Sequence, residues 1–473
     1  MMIAVKLALA YVAIWLLGAL ALAHIGARGR GILGVVADFA AGVVLLAFVG
    51  SIAVIGGIRL SPLAIYGLVL VLGAAATIRR RGVRVSLELP EDRIARLLLV
   101  AIVLPIGLLA LSALDDRLWW DGWAIWVLKA RILFNEGTLP SEYFERGGWL
   151  AFSHTDYPLA VPLLNWWLFH HVGAPDPAVA ALAGTIWHAV LVFTVVGVLR
   201  DRVGDRVAAL TGLGIACFWP IAFFASGGTA DVVIALALVG ALWEMDEGLA
   251  SGDASAFWRS GVFLALGAMA KTEGLAVAVA VGGAAALLAW RRTLRPRRLL
   301  GCALPFAIVA PWLVFTKALG IRRPYFTLDL TAAELLDRAV LFAKSVGTMV
   351  FGSASWLPLA GIIGVGILRD RSHAGWLALG GYFTAIAMTY LLTPDDPLWL
   401  IDTSLRRVLA ACVPAALYVS LGGAAAPFSP APAPTAVNSD RALDRDELSG
   451  QGRTDDLEGS GKEIGVVGHA GAT

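Results

Sequence analysis

The sequence predicts an all-α protein, a polytopic transmembrane helical bundle of roughly 11–13 spans with a helical first extracytoplasmic loop. Three observations lead there. Hydrophobic residues make up 59% of the 473 residues and charged ones only 15%, with a mean hydropathy of +0.78. That is more apolar surface than a soluble chain of this length can hide. Apolar runs of about 20 residues recur from end to end, the length that crosses a bilayer as a helix. Arginine clusters separate them: Arg28 and Arg30; Arg79 to Arg84; Arg200, Arg202 and Arg206; Arg291 to Arg298; Arg369 and Arg371. The net charge of +2 says little, because the distribution of charge matters more than its sum, and no nucleic-acid partner is expected. The location expected is the cell (inner or plasma) membrane, as a multi-pass protein in contact with membrane lipids.

Short basic loops stay cytoplasmic, and placing every arginine cluster inside orders the elements. The first run, MIAVKLALAYVAIWLLGALALAH, has no small-residue cleavage site after it and reads as a retained span. With the N-terminus outside, three spans precede the Arg79 loop, so residues 1–94 form the N-terminal helices. The span Ala95–Leu114 then delivers DDRLWWDGWAIWVLKA, Asp115 to Ala130, to the outer face. Of the next two apolar stretches, YPLAVPLLNWWLFHHV is short and carries Pro158 and Pro162. It is expected along or partly within the outer leaflet, while AVAALAGTIWHAVLVFTVVGVL crosses. LTGLGIACFWPIAFFA leads outward to SGGTAD, and a helix returns inward from Asp231. WRSGVFLALGAMA climbs to KTEG at Lys271–Gly274, and LAVAVAVGGAAALLAW descends to the arginine loop. One more span reaches the outer segment IRRPYFTLDLTAAELLDR. Two further spans reach the outer loop TPDDPLWLIDTSLRR, and Val408–Leu421 is the last crossing.

Residues 95–426 thus form the core. Residues 427–473, rich in Pro, Ser, Gly and charge, are expected to be a disordered cytoplasmic tail. Cys217, Cys302 and Cys412 stand singly in apolar stretches and read as packing residues.

Ionisable residues on the outer side are the candidates for chemistry. The first loop holds Asp115, Asp116, Asp121, Lys129, Arg131, His154 and Asp156. Later outer segments add Asp231, Lys271, Glu273, Arg322, Arg323, Asp395, Asp396, Asp402, Arg406 and Arg407. Cations there run against the basic-inside pattern, so something should hold them. A cavity of carboxylates and cations against apolar helices suits a lipid-linked anion: cations hold a phosphate, and a carboxylate takes a proton from an attacking hydroxyl. Plainer roles stand beside these. Asp121 fits an N-cap, the tryptophans an interfacial belt, His154 and Asp156 turn positions before a proline, and His188 a hydrogen bond to a neighbouring helix. The arginines fit contacts to lipid headgroups. Asp231 and Lys271 sit at helix mouths rather than in long polar loops, which favours function.

The order of these features resembles the GT-C superfamily of membrane glycosyltransferases, especially the protein O-mannosyltransferase and lipid A aminoarabinose transferase type. The resemblance runs from about Ala95 to Leu421 through WWDGWAIWVLKARILFNEG, HTDYPLAVPLL, GGTADVVIALAL, ALGAMAKTEGLAV and SLRRVLAACVPAAL. Two departures are visible. Three spans precede the first acidic loop where the family usually has one, and YPLAVP stands where the family has a proline pair. The family's first-loop acid maps to Asp121 by its distance to the AR dipeptide, and to Asp115 or Asp116 by the end of the span; Asp121 is preferred.

The resemblance implies an inverting sugar transfer on the outer face from a polyprenyl-phosphate-linked donor to a glycan, lipid or protein acceptor. Asp121 would be the base. Lys271, Arg406 and Arg407 would neutralise the leaving phosphate. Asp231, or His154 with Asp156, would orient the acceptor or help hold a divalent cation such as Mg or Mn; metal use is left open. Tyr157, Glu273 and Arg322 complete the candidate substrate-binding set. The rival readings are a flippase or transporter of lipid-linked sugars and an oligosaccharide polymerase or ligase. Transporters place ionisable residues near the bilayer midplane and often show internal repeats, whereas here the charges gather at outer helix ends.

Overall fold

Backbone polar groups have no water to bond in a bilayer, so an apolar chain of this kind satisfies them within helices. The computed structural model describes residues 2–29, 31–78, 90–115, 118–145, 148–321, 326–369 and 373–425, and all regular structure among them is helical. The N-terminal helices are α1 (Met2–His24), α2 (Gly31–Ile55), α3 (Pro62–Ile78) and α4 (Arg93–Ala113). The first loop contributes α5 (Leu128–Glu136) and leads to α6 (Ala160–Val172). Next come α7 (Pro177–Val203), α8 (Asp205–Ala216), α9 (Trp219–Ser226), α10 (Asp231–Ser251), α11 (Ala254–Ala270), α12 (Glu273–Arg291) and α13 (Leu304–Ala318). The chain closes with α14 (Ala332–Phe351), α15 (Leu357–Arg369), α16 (His373–Leu392), α17 (Pro397–Leu400) and α18 (Arg406–Ala425). Met1–Pro427 forms one compact unit. The tail expected over 427–473 lies outside the described residues.

Among the described residues, eight helices are long and apolar enough to cross a membrane. They become nine if α8 and α9, bent by 57° at their junction, are one broken span, and three more apolar helices are shorter. This is the polytopic helical bundle that the composition predicts. Local signals set several boundaries. Asp92 caps α4 by accepting from the Ala95 N–H at 2.8 Å, and Asp176 caps α7 through Ala178 at 2.9 Å.

The bundle is built around α10. Residues 231–242 are all buried, and the helix packs against α7, α11, α12 and α18. An apolar surface all round a helix is a signature of such a central position. In α6, too, Ala160 to Phe169 are all buried, packed against α1, α2, α5 and α7. Trp166 and Trp167 are fully enclosed, with the Trp167 indole N–H donating to the Ala10 carbonyl at 3.0 Å.

Charge collects at the two ends of α10. Glu244 lies 13 residues after Asp231, about 20 Å along the axis. There it pairs with Arg259 at 2.7 Å, while Asp246 accepts from the Tyr418 hydroxyl at 2.7 Å and lies 3.4 Å from Arg202. Buried charges need such partners. The opposite end, at Asp231, holds the remaining cluster.

Candidate active site

Asp231 opens α10, Lys271 closes α11, Glu273 opens α12 and Arg407 stands in the first turn of α18. Their side chains meet. The Lys271 ammonium lies 3.2 Å from Asp231 Oδ1 and 2.8 Å from Glu273 Oε1. The Arg407 guanidinium pairs directly with Asp121 Oδ2 and places Nε 3.8 Å from Asp231 Oδ2. Four separate segments therefore deliver three carboxylates and two cations to one place. Asp231 and Lys271 side chains are each only 7% exposed. Burial opposes the Lys271 charge, but Asp231 and Glu273 more than offset it and hold the pKa above the ordinary lysine range. Asp231, Lys271 and Glu273 line a narrow crevice with Tyr382, Val408 and Ala411.

Local structure explains how the first loop reaches this cluster. Asp121 has helical backbone angles and its side chain caps nothing, so the N-cap role open to it in the sequence is not the one it takes. A π-helical turn follows at once over Gly122–Val127, and a second, Ile401–Leu405, ends just before Arg406. Both partners of the Asp121–Arg407 pair thus adjoin a π turn, where one extra residue per turn re-aims the side chains beyond it. Gly122 lies directly on the Gly227 carbonyl, which also accepts from the Trp119 N–H at 3.0 Å. A β-carbon at position 122 would strike that carbonyl and push the Asp121 turn off the loop that leads into Asp231. Gly274 makes the equivalent approach to the Gly267 carbonyl and closes the turn that carries Lys271 and Glu273.

The other candidate residues lie elsewhere. Asp115 is exposed at the end of α4. Asp116 and Arg322 lie outside the described residues. Arg406 is exposed and, among the described residues, has no ion pair with the cluster. His154, Asp156 and Tyr157 form a second group with Lys129, which the sequence marks only as an outer cation. The Lys129 side chain is fully buried, donates to the His154 carbonyl at 2.8 Å, and lies 5.5 and 5.7 Å from the ring centres of Trp126 and Tyr157. Trp126, Tyr157 and His154 stack in that order, at 5.7 and 4.6 Å. His154 itself has a left-handed backbone (φ 49°), unusual for a non-glycine residue.

Burial, opposed by the Asp156 carboxylate, pulls the Lys129 pKa down to about 7. Below that pH both the folded and the unfolded chain carry the proton. Between about 7 and the ordinary value of 10.5 only the unfolded chain does. Stability therefore rises with pH across this window, by about 1.4 kcal/mol per unit for one proton. Wild type should gain in Tm between pH 7 and pH 9 relative to Lys129→Met, measured in detergent. Parallel pH profiles for the two proteins would refute it.

The sorting of the tryptophans also depends on packing. Trp119, Trp120 and Trp123 are 45%, 62% and 39% exposed, as an interfacial belt requires, but Trp126 is buried. His188 reaches the Ala216 carbonyl of the neighbouring α8 at 3.4 Å, the structural role expected of it.

Residues 156–315 match the dolichyl-phosphate-mannose-protein mannosyltransferase family, a member of the GT-C superfamily. The matched segment contains Asp156, Tyr157, Asp231, Lys271 and Glu273, while Asp121 and Arg407 come from outside it. No curated protein and no solved structure matches the chain. The family match and the helical bundle together support a multi-pass membrane glycosyltransferase of GT-C type.

Proposed function

We propose that this membrane glycosyltransferase moves a sugar from a polyprenyl-phosphate-linked donor to an acceptor hydroxyl on a glycan, lipid or protein, at the outer face of the cell membrane. The observation that carries the reading is the single ion cluster that Asp121 forms with Arg407, Asp231, Lys271 and Glu273. In the reaction, the acceptor oxygen attacks the anomeric carbon from the side opposite the phosphate, and its proton passes to the Asp121 carboxylate. The bond from the anomeric carbon to the phosphate oxygen breaks, and the lipid phosphate leaves with the electron pair. The configuration at carbon is inverted. Lys271 and Arg407 neutralise the charge that develops on the leaving phosphate.

The cluster holds three carboxylates against two cations. An anionic donor competes with those carboxylates for Lys271 and Arg407, and each carboxylate it displaces becomes free to accept a proton or a hydroxyl group. No step is routed through a metal ion. The carboxylates are interleaved with the two cations, and among the described residues no group of three or more His, Cys, Asp or Glu side chains has an arrangement that could hold a metal.

The test is direct. Purified protein in nanodiscs is given short-chain polyprenyl-phosphate hexoses with a hydroxyl acceptor, and release of polyprenyl phosphate is followed. Release coupled to a new glycosidic bond is the expected result. Movement of intact donor across a sealed proteoliposome without bond cleavage would instead identify a flippase and overturn the reading.

A further inference from the structure

One oxygen of Glu273 is accounted for and the other is not. Oε1 accepts from the Lys271 ammonium at 2.8 Å, whereas Oε2 is buried and has no hydrogen-bond partner. Across the same cluster the Arg407 Nε–H is also buried without a hydrogen-bond acceptor. An enclosed acceptor and an enclosed donor left unmade are a cost to the fold. A single ligand relieves both if it carries an anionic oxygen for Arg407 and a hydroxyl for Glu273. The residues around Glu273 match such a molecule in chemistry, with Asp231 and Lys271 on one side and Tyr382, Val408 and Ala411 supplying a largely apolar wall, and the crevice between them is closed and has to open to admit it.

We propose that Glu273 is a specificity-determining residue, accepting through Oε2 a hydrogen bond from the donor sugar's hydroxyl next to the anomeric carbon. This rests on reading the cluster as a sugar-transfer site. The position of the hydroxyl follows from the chain of contacts. A phosphate oxygen on Lys271 stands no more than two hydrogen-bond lengths, about 6 Å, from the Glu273 carboxylate. Of the sugar's hydroxyls, the one on the carbon adjoining the anomeric centre is nearest the bridging phosphate oxygen, across a single carbon–carbon bond, and is therefore the first to come within that reach. Asp231 is less suited, since Lys271 engages its Oδ1 at 3.2 Å and its Oδ2 faces the Arg407 guanidinium charge at 3.8 Å.

The experiment compares polyprenyl-phosphate hexose with its 2-deoxy and 6-deoxy forms in wild type, Glu273→Gln and Glu273→Ala. Binding of sugar-free short-chain polyprenyl phosphate serves as the control for an intact site. A site built to bond a hydroxyl rejects the analogue that lacks it. Wild type should lose at least about tenfold in kcat/KM on the 2-deoxy donor and clearly less on the 6-deoxy donor. In Glu273→Ala the 2-deoxy penalty should fall to about one, with phosphate binding retained. Should that variant fail to fold, Glu273→Gln decides, and its penalty must drop at least threefold. An undiminished 2-deoxy penalty in the variants, or none in wild type, overturns the assignment while leaving the transfer reading intact. No turnover of any donor and no binding of polyprenyl phosphate by wild type would overturn both.

Discussion

Asp121→Asn should fold, bind donor and fail to transfer sugar. A general base contributes roughly 10²–10⁴ in rate, so kcat is expected to fall by that order while the affinity for polyprenyl phosphate is retained or rises, because Arg407 loses a competing carboxylate. Asparagine keeps the shape of the side chain and offers Arg407 an amide oxygen in place of Oδ2. The loss is therefore chemical rather than structural, and a Tm within a few degrees of wild type should show it. Asp115→Asn is the comparison that matters. Asp115 is exposed at the end of α4 and has no ion pair with the cluster among the described residues, so that variant should keep near-normal turnover. Full activity in Asp121→Asn would remove Asp121 from the mechanism whatever the other residues do.

Arg407→Ala should be strongly destabilising. Arg407 is 11% exposed and faces two carboxylates, on Asp121 and Asp231. Removing one partner of a buried pair leaves uncompensated charge and costs about 3–5 kcal/mol. Lysine at this position retains the charge but not the planar, branched donor set that spans two carboxylates, so Arg407→Lys should recover stability only in part. The decisive measurement is a double-mutant cycle in Tm. Combining Arg407→Ala with Asp121→Ala should cost less than the sum of the two single changes, because the second removes a charge that the first has stranded. Strict additivity would mean that the pair is not coupled.

Arg407 also shows what a sequence can and cannot reveal about such a site. SLRR presents two adjacent arginines that composition treats alike. On a helix they point about 100° apart, and here one meets Asp121 while the other is exposed. The π turn at Ile401–Leu405 precedes both, and no residue type announces it. Lys129 is a similar case. Its neighbours Trp126, Ala130 and Leu133 are buried at helical spacing, and the pattern was visible, but a lysine on that stripe reads as an exposed exception until Trp126, Tyr157 and the His154 carbonyl are seen around it. Tyr382, in the wall of the crevice, lies inside an apolar helix with no local signal at all.

What the sequence determined by itself is the helical bundle and the residues worth watching. Apolar runs of membrane length must become helices, because the bilayer leaves the backbone no other partner. Charged residues at the mouths of such helices are costly enough to be few, and Asp121, Asp231, Lys271, Glu273 and Arg407 were among those few. Only the tertiary structure decided which of them share one cluster. Their segments are far apart along the chain, and whether side chains meet depends on packing at glycine contacts, on helix rotation and on single-residue register shifts. These are properties of the assembled bundle, and no individual segment carries them.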